Sequence, residues 1–151
     1  MKIGEACNRD VVCIEADASV GTAARLMREY HVGDLVITRQ RGSIRVPAGI
    51  ITDRDLVLEV LATDLDIVSV TVGDLFASSE LVTASVDEET ETVIDRMLAR
   101  GIRRIPVIGK EGQLAGIITM DDILELISEQ LSGVVRLVTR QQDLEALRRI
   151  P

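Results

Sequence analysis

Aromatic side chains are nearly missing from this chain: Tyr30 and Phe76 are the only two, and Trp is absent. Without stacking rings a protein is a poor reader of unpaired bases, and its core must be built from Val, Ile, Leu, Ala and Met. Lysine is equally scarce. Of 17 basic residues only Lys2 and Lys110 are Lys, so the rest are Arg, whose planar fork suits bidentate contacts to phosphate or carboxylate. Against 25 acids these bases leave a net charge of −8, a surface that repels phosphate backbones, and no nucleic-acid partner is expected. His31 is the single histidine; with no Ser or Cys nucleophile beside it, it offers no catalytic pair, and at a helix end it suits the dipole. No apolar run reaches the ~18 residues of a membrane span, and Met1 to Cys13 is polar where a signal peptide would be apolar. A cytoplasmic protein with no membrane partner is expected. Cys7 and Cys13 are the only cysteines, with five residues between them. That spacing permits one disulfide, half a metal site or a thiol sensor, and a buried inert thiol is the commonest use of such residues.

What is present is aliphatic and charged: 46% hydrophobic and 28% charged residues in a chain of 151 are enough to bury a core. The length allows one domain, or two very small ones sharing a core, and is too short for a full barrel enzyme. The chain is written twice. Ala48-Gly49-Ile50-Ile51-Thr52 recurs 67 residues later as Ala115-Gly116-Ile117-Ile118-Thr119, and each copy has an acid three places on, Asp55 and Asp122. Earlier in each half the offset is 70, pairing Asp17 with Asp87, Thr22 with Thr92, Met27 with Met97 and Val32 with Ile102. The extra three residues fall between Ile37 and Ala48, in a polar stretch that reads as a hairpin turn.

Periodicity supplies the elements. The first half reads as a strand over 11–14, a helix from about 19 to 31 capped by Asp17 or Ser19, strands over 35–38 and 46–52, and a helix over 53–62. The second reads as a strand near 82–83, a helix near 89–100 closed by Gly101, strands over 105–108 and 114–119, and a helix over 121–131. Ile3-Gly4-Glu5-Ala6 and Thr71-Val72-Gly73-Asp74-Leu75-Phe76 echo each other as short helical turns. The fold class is α/β (α+β): two β-α-β-β-α units over 1–69 and 70–132, then a C-terminal helical extension over 133–151 whose charged end, 140–149, frays or packs on a partner chain. Neither unit of about 60 residues buries enough surface alone, so the two must pack together.

The order of elements and the twofold Gly-Ile-Ile-Thr-x-x-Asp signature resemble a tandem pair of cystathionine-β-synthase (CBS) domains, a Bateman module, over about residues 3 to 131. The resemblance implies pseudo-twofold packing and a central cleft for an adenosyl ligand: AMP first, or ADP, ATP, NAD or S-adenosylmethionine. It also implies a non-catalytic sensing role and a homodimer. With no effector domain in the sequence, output is expected to pass to a separate, unknown protein.

The residues supply chemistry for such a cleft. Gly49 and Gly116 lie inside strands, where a missing side chain lets a ligand or another backbone approach. Thr52 and Thr119 end those strands at helix starts, where a hydroxyl can cap the helix or bond a phosphate. Asp55 and Asp122 fall in the first helical turn; by resemblance they read the ribose hydroxyls, while the plainer use is to answer the helix dipole. Arg54 can close on a phosphate or pair with Asp53. Arg103-Arg104-Ile105-Pro106 matches Gly33-Asp34-Leu35-Val36 of the first half, and the resemblance gives the aliphatic-Pro pair to the adenine pocket. Because Asp34 stands where the second repeat has Arg104, the site of Thr119 and Asp122 with the Arg103-Arg104 strand is expected to be the better one. Asp121, Val82, Thr83, Val12 and Cys13 complete the candidate set. The paired acids Asp121-Asp122 and Asp53/Asp55 lack a further ligand and make a poor metal site. Val57, Val60, Leu61 and Ile123, Ile127, Leu131 are the helix faces expected to pair in a homodimer. The rival reading is an interaction protein whose cleft is filled by its own side chains.

Overall fold

Each half of the chain folds into a three-stranded sheet with helices on one face. The computed structural model describes residues 1–76 and 80–149. The first half holds α1 (Ile3–Ala6), β1 (Cys13–Glu15), α2 (Val20–Tyr30), β2 (Asp34–Arg41), β3 (Ile44–Thr52) and α3 (Asp53–Asp55), which runs on as a π-helix over Leu56–Leu61. The second holds α4 (Val72–Phe76), β4 (Ala84–Ser85), α5 (Thr90–Arg100), β5 (Arg104–Ile108), β6 (Leu114–Thr119) and α6 (Met120–Arg148). In both sheets the first strand pairs parallel with the second and the second antiparallel with the third. Both hairpins slip register at the same place, between Ile37 and Thr38 and between Val107 and Ile108.

The long helices form for local reasons. Ser19 caps α2, its Oγ accepting the Thr22 N–H at 3.1 Å, and Val20, Ala23 and Met27 bury one stripe. His31 closes α2 in the left-handed region at φ 55°, where α5 has Gly101 at φ 64°. A histidine there costs more than a glycine, so α2 ends on a mild strain that α5 avoids.

The two leading helices exchange places. Ile3 of α1 is buried in the core of the second sheet, with Ala84, Val93, Met97, Ile105, Val107, Ile118 and Ile123. Val72 of α4 is buried in the core of the first, with Ile14, Ala23, Met27, Leu35, Ile37 and Ile51. Backbone bonds fix both: Ile3 N to Glu88 O at 2.9 Å and Gly4 N to Val86 O at 3.0 Å, Val72 N to Ala18 O and Gly73 N to Ala16 O at 2.8 Å. A Cβ on Gly73 would stand 2.9 Å from Ala16 O, so the exchange demands glycine there. Each core therefore needs a helix that lies in the other half of the sequence.

Several elements depart from the sequence reading. The helix expected to end at Leu131 continues to Arg148, and Gly133 lies inside it. An interior glycine costs a helix only about 1 kcal/mol, less than the good helix formers on either side return. The strand expected near Val82 and Thr83 begins at Ala84, because register with Val107 of β5, not β-propensity, decides where pairing starts. Val60 and Ile123, expected on a pairing face, are core residues at 3% and 2% exposure, whereas Val57, Leu61, Ile127 and Leu131 are exposed.

Candidate functional site

Both Thr-x-x-Asp signatures form capping boxes. Thr52 Oγ1 accepts the Asp55 N–H at 3.1 Å and Asp55 Oδ2 accepts the Thr52 N–H at 2.8 Å. Thr119 and Asp122 repeat this at 3.2 and 2.8 Å, and the Thr119 hydroxyl also donates to Asp122 Oδ2 at 2.7 Å. The plainer reading of these residues is thus realised in full. One carboxylate oxygen is left over: among the described residues neither Asp55 Oδ1 nor Asp122 Oδ1 takes part in a hydrogen bond.

The clefts break the symmetry. Thr52 faces the opposite repeat across a cavity of about 310 Å³ lined by Ile50, Thr52, Gly101, Ile102, Arg103 and Arg104. It adjoins a slot of about 170 Å³ that shares Ile50, Ile102 and Arg104 and adds Gly49, Phe76, Glu80, Leu81 and Val82. A nonpolar slot thus opens beside a basic mouth. Arg104 is the sheet partner of Thr119, as the expected grouping of the Arg103-Arg104 strand with Thr119 has it, and both arginines also line the cavity of Thr52.

Arg104 Nε lies 2.6 Å from Asp34 Oδ2, an ion pair between the repeats with side chains 35% and 21% exposed. Arg103 Nη2 stands 3.4 Å from Asp121 Oδ1, both exposed. Arg54 is exposed, and its backbone N–H donates to Asp53 Oδ1 at 2.8 Å.

Other candidate residues have structural duties. Ile105 is fully buried in the second core, so its side chain is closed to any ligand; Pro106 beside it is also buried. A Cβ on Gly116 would stand 2.7 Å from both Asn8 O and Cys7 Sγ, and Asn8 exchanges two 2.9 Å backbone bonds with Ile117. The close neighbour that Gly116 admits is the chain's own N-terminal segment. Gly49 meets only Ile37 Cδ1, at 3.2 Å. The Thr83 carbonyl accepts from Arg96 Nη1 at 2.7 Å, and Arg96 in turn pairs with Glu88. Val12 and Cys13 line a separate cleft of about 500 Å³ with Tyr30, Val32 and Arg45. Both cysteines are free, and burial pushes both thiols up from their ordinary pKa, so neither is poised as a nucleophile. Sequence reasoning missed Ile50, Phe76, Glu80, Leu81, Gly101 and Ile102; Ile50 sits inside the repeated pentapeptide, and its alternation with Ile51 was the available signal.

The family described as CBS domain matches residues 3–62 and 72–129. The chain belongs to the CBS domain family, as a tandem pair. An uncharacterized protein of Methanopyrus kandleri is 34% identical over 126 residues, 83% of this chain and 62% of that protein, so the chain spans under two thirds of that relative. Hypoxic response protein 1 of Mycobacterium tuberculosis is 32% identical over 122 residues, 81% of this chain and 82% of that one. A solved structure of Hypoxic Response Protein I, which carries two coordinated zinc ions, superposes with a TM-score of 0.72 at 29% identity, covering 83% of this chain and 98% of that one. The CBS domain pair of protein MJ0100, solved in complex with 5'-methylthioadenosine and S-adenosyl-L-methionine, has the same fold with a TM-score of 0.71 at 21% identity, over 86% of this chain and 98% of that one. No helix among the described residues is long and apolar enough to cross a membrane.

Proposed function

We propose that this CBS pair is a non-catalytic regulatory module that binds an adenosyl ligand, AMP foremost, in the cleft between Thr52 and the Arg103-Arg104 segment. The observation that carries the reading is the juxtaposition of a strand-end threonine from one repeat with two arginines from the other, at the mouth of a nonpolar slot. Adenine enters the slot between Ile50, Phe76 and Ile102. The ribose hydroxyls donate to the free Asp55 Oδ1. The phosphate lies against the Thr52 hydroxyl and the two guanidiniums, whose geometry fits two phosphate oxygens at once. The cavity of about 310 Å³ is within the usual range for small-ligand sites.

The Thr119-Asp122 site is the weaker partner in this reading. Asp34 stands where its counterpart has Arg104, and the Gly116 strand is crossed by Asn8. A carboxylate there disfavours phosphate and tolerates a neutral or cationic adenosyl group; the complex of MJ0100 with two such ligands supports keeping S-adenosylmethionine in view. Occupancy of the Thr52 cleft draws Arg104 toward phosphate and loosens its hold on Asp34, which alters how the repeats sit and so what a partner protein meets. Thermal-shift measurements with AMP, ADP, ATP, NAD and S-adenosylmethionine test this. A ligand at about 100 times its Kd stabilises by about 2.7 kcal/mol, and no shift with any of the five contradicts the reading.

A further inference from the structure

The first hairpin outgrows the second by three residues in each strand: β2 and β3 have eight and nine residues where β5 and β6 have five and six. The nucleotide reading makes no use of this extension. Its tip reaches the other repeat, where Arg41 Nη2 donates to the Glu111 carbonyl at 2.6 Å. A cavity of about 440 Å³ lies between the repeats here, lined by Gln40, Ser43 and Arg45 of the hairpin, Arg9 of the N-terminal segment, and Leu114 and Ala115 of β6. This cavity is not the second repeat's copy of the nucleotide cleft. Arg45 and Leu114 stand at the beginnings of β3 and β6, about 23 and 17 Å along extended strands from Thr52 and Thr119 at their ends. Carried across by the repeat offsets, the residues that line the Thr52 cleft and its slot place only Val11, the counterpart of Leu81, in this cavity.

The lining is polar and cationic. It holds no acid, in a chain with 25 acids against 17 bases. Among the described residues neither Arg9 nor Arg45 pairs with a carboxylate. Asp10 lines the adjoining cleft with Arg45 but forms no ion pair with it. Arg9 Nη2 donates to the Gly4 carbonyl at 3.0 Å, which holds the guanidinium in place while its remaining N–H groups stay open to a ligand. We propose that this cavity is a second anion site, built by the longer hairpin, for the phosphate or pyrophosphate group of a small molecule. Two guanidiniums, the Gln40 amide and the Ser43 hydroxyl offer more donors than the two oxygens of one carboxylate accept, whereas a phosphoryl group presents three or more. The volume is within the range of small-ligand sites. An anion held there joins the hairpin of the first repeat to β6 of the second, at the end of the sheets away from Thr52 and Thr119.

Calorimetric titration of inorganic pyrophosphate, free of divalent cations, tests the site. The chain used carries Arg103→Ala and Arg104→Ala, so that the Thr52 cleft offers no guanidinium and the outcome is separate from that of the nucleotide reading. Binding is expected, and a Kd at least tenfold weaker once Arg9→Gln and Arg45→Gln are added. Ser43→Glu is a second route to the same loss: it puts a carboxylate in the cavity at an exposed turn and leaves the bond from Arg9 to Gly4 in place. No binding by the Arg103→Ala, Arg104→Ala chain overturns the proposal, as does a Kd that either further change leaves unaltered. Succinate that displaces pyrophosphate at equal concentration overturns the choice of phosphate over carboxylate.

Discussion

Arg104 Nε lies 2.6 Å from Asp34 Oδ2, and this ion pair ties the second repeat to the first at the edge of the cleft that Thr52 lines. A half-exposed pair of this kind adds about 1 kcal/mol or less to stability. Its consequence is for binding: while Asp34 holds Arg104, that guanidinium is not wholly available to a phosphate. Asp34→Asn is therefore expected to tighten AMP, by up to about tenfold at 1.4 kcal/mol per decade, while changing stability by no more than about 1 kcal/mol. Calorimetric titration of the variant checks this, and weaker binding shows that Asp34 positions Arg104 and does not compete for it.

The two capping aspartates should separate. Asp55→Ala and Asp122→Ala each lose a capping box, at about 0.5–2 kcal/mol of stability by thermal or denaturant unfolding. Of the two boxes, the one whose threonine lines the open cleft is that of Thr52 and Asp55, and on the proposed reading loss of a charge-assisted bond to ribose, about 1.5–3 kcal/mol, weakens AMP at least tenfold. Asp122→Ala is expected to shift the AMP Kd less than about twofold.

The two strand glycines predict unequal costs. Gly116→Ala drives a Cβ to 2.7 Å from backbone Asn8 O and Cys7 Sγ, and overpacking of this kind costs about 1–3 kcal/mol. Gly49→Ala meets only the tip of the Ile37 side chain at 3.2 Å, which can rotate, so its cost is expected to stay under about 1 kcal/mol. Urea midpoints of the two variants decide the matter; equal losses contradict the assignment of Gly116 to the N-terminal crossing.

Acid sensitivity should track Glu88. The Arg96 guanidinium lowers the Glu88 carboxyl below its ordinary value of 4.5, and Ser85 N–H adds a 2.7 Å bond. A depressed folded-state pKa gives stability that is present above about pH 4.5 and is lost as pH falls through the folded value. Glu88→Gln should therefore be less stable than wild type at pH 7, by about 1 kcal/mol for a pair of this exposure, and the gap should narrow as pH falls below 4.5. A constant difference from pH 7 to pH 3 rules this out.

The repeat was legible because it is written in residues: the pentapeptides marked β3 and β6, Gly101 marked the end of α5, and of the two caps expected for α2, Asp17 or Ser19, the structure uses Ser19. The Thr and Asp positions were legible for the same reason, since capping needs a hydroxyl and an acid at set spacing. The cleft was not. Which cavity a strand-end arginine lines depends on how two sheets dock, and that Arg103 and Arg104 line a cavity with Thr52 of the other repeat is not written in any local pattern. The same holds for Ile3 and Val72, whose burial in the opposite cores no local pattern announces. Helix α6 passed through Gly133 because a glycine is a weak stop next to fifteen further residues of helical sequence; the apolar positions Val134, Val135, Leu137 and Val138 are legible in the sequence, and the structure adds that a single helix carries them on from Leu131.

The most direct test is calorimetric titration of AMP into wild-type protein and into the Arg103→Ala, Arg104→Ala double variant. The cleft account predicts binding by the wild type and a Kd weakened at least tenfold in the double variant, whose fold is kept because Arg103 is exposed and Arg104 half-exposed. An unchanged Kd in a folded double variant, or no binding of AMP by the wild type, contradicts it.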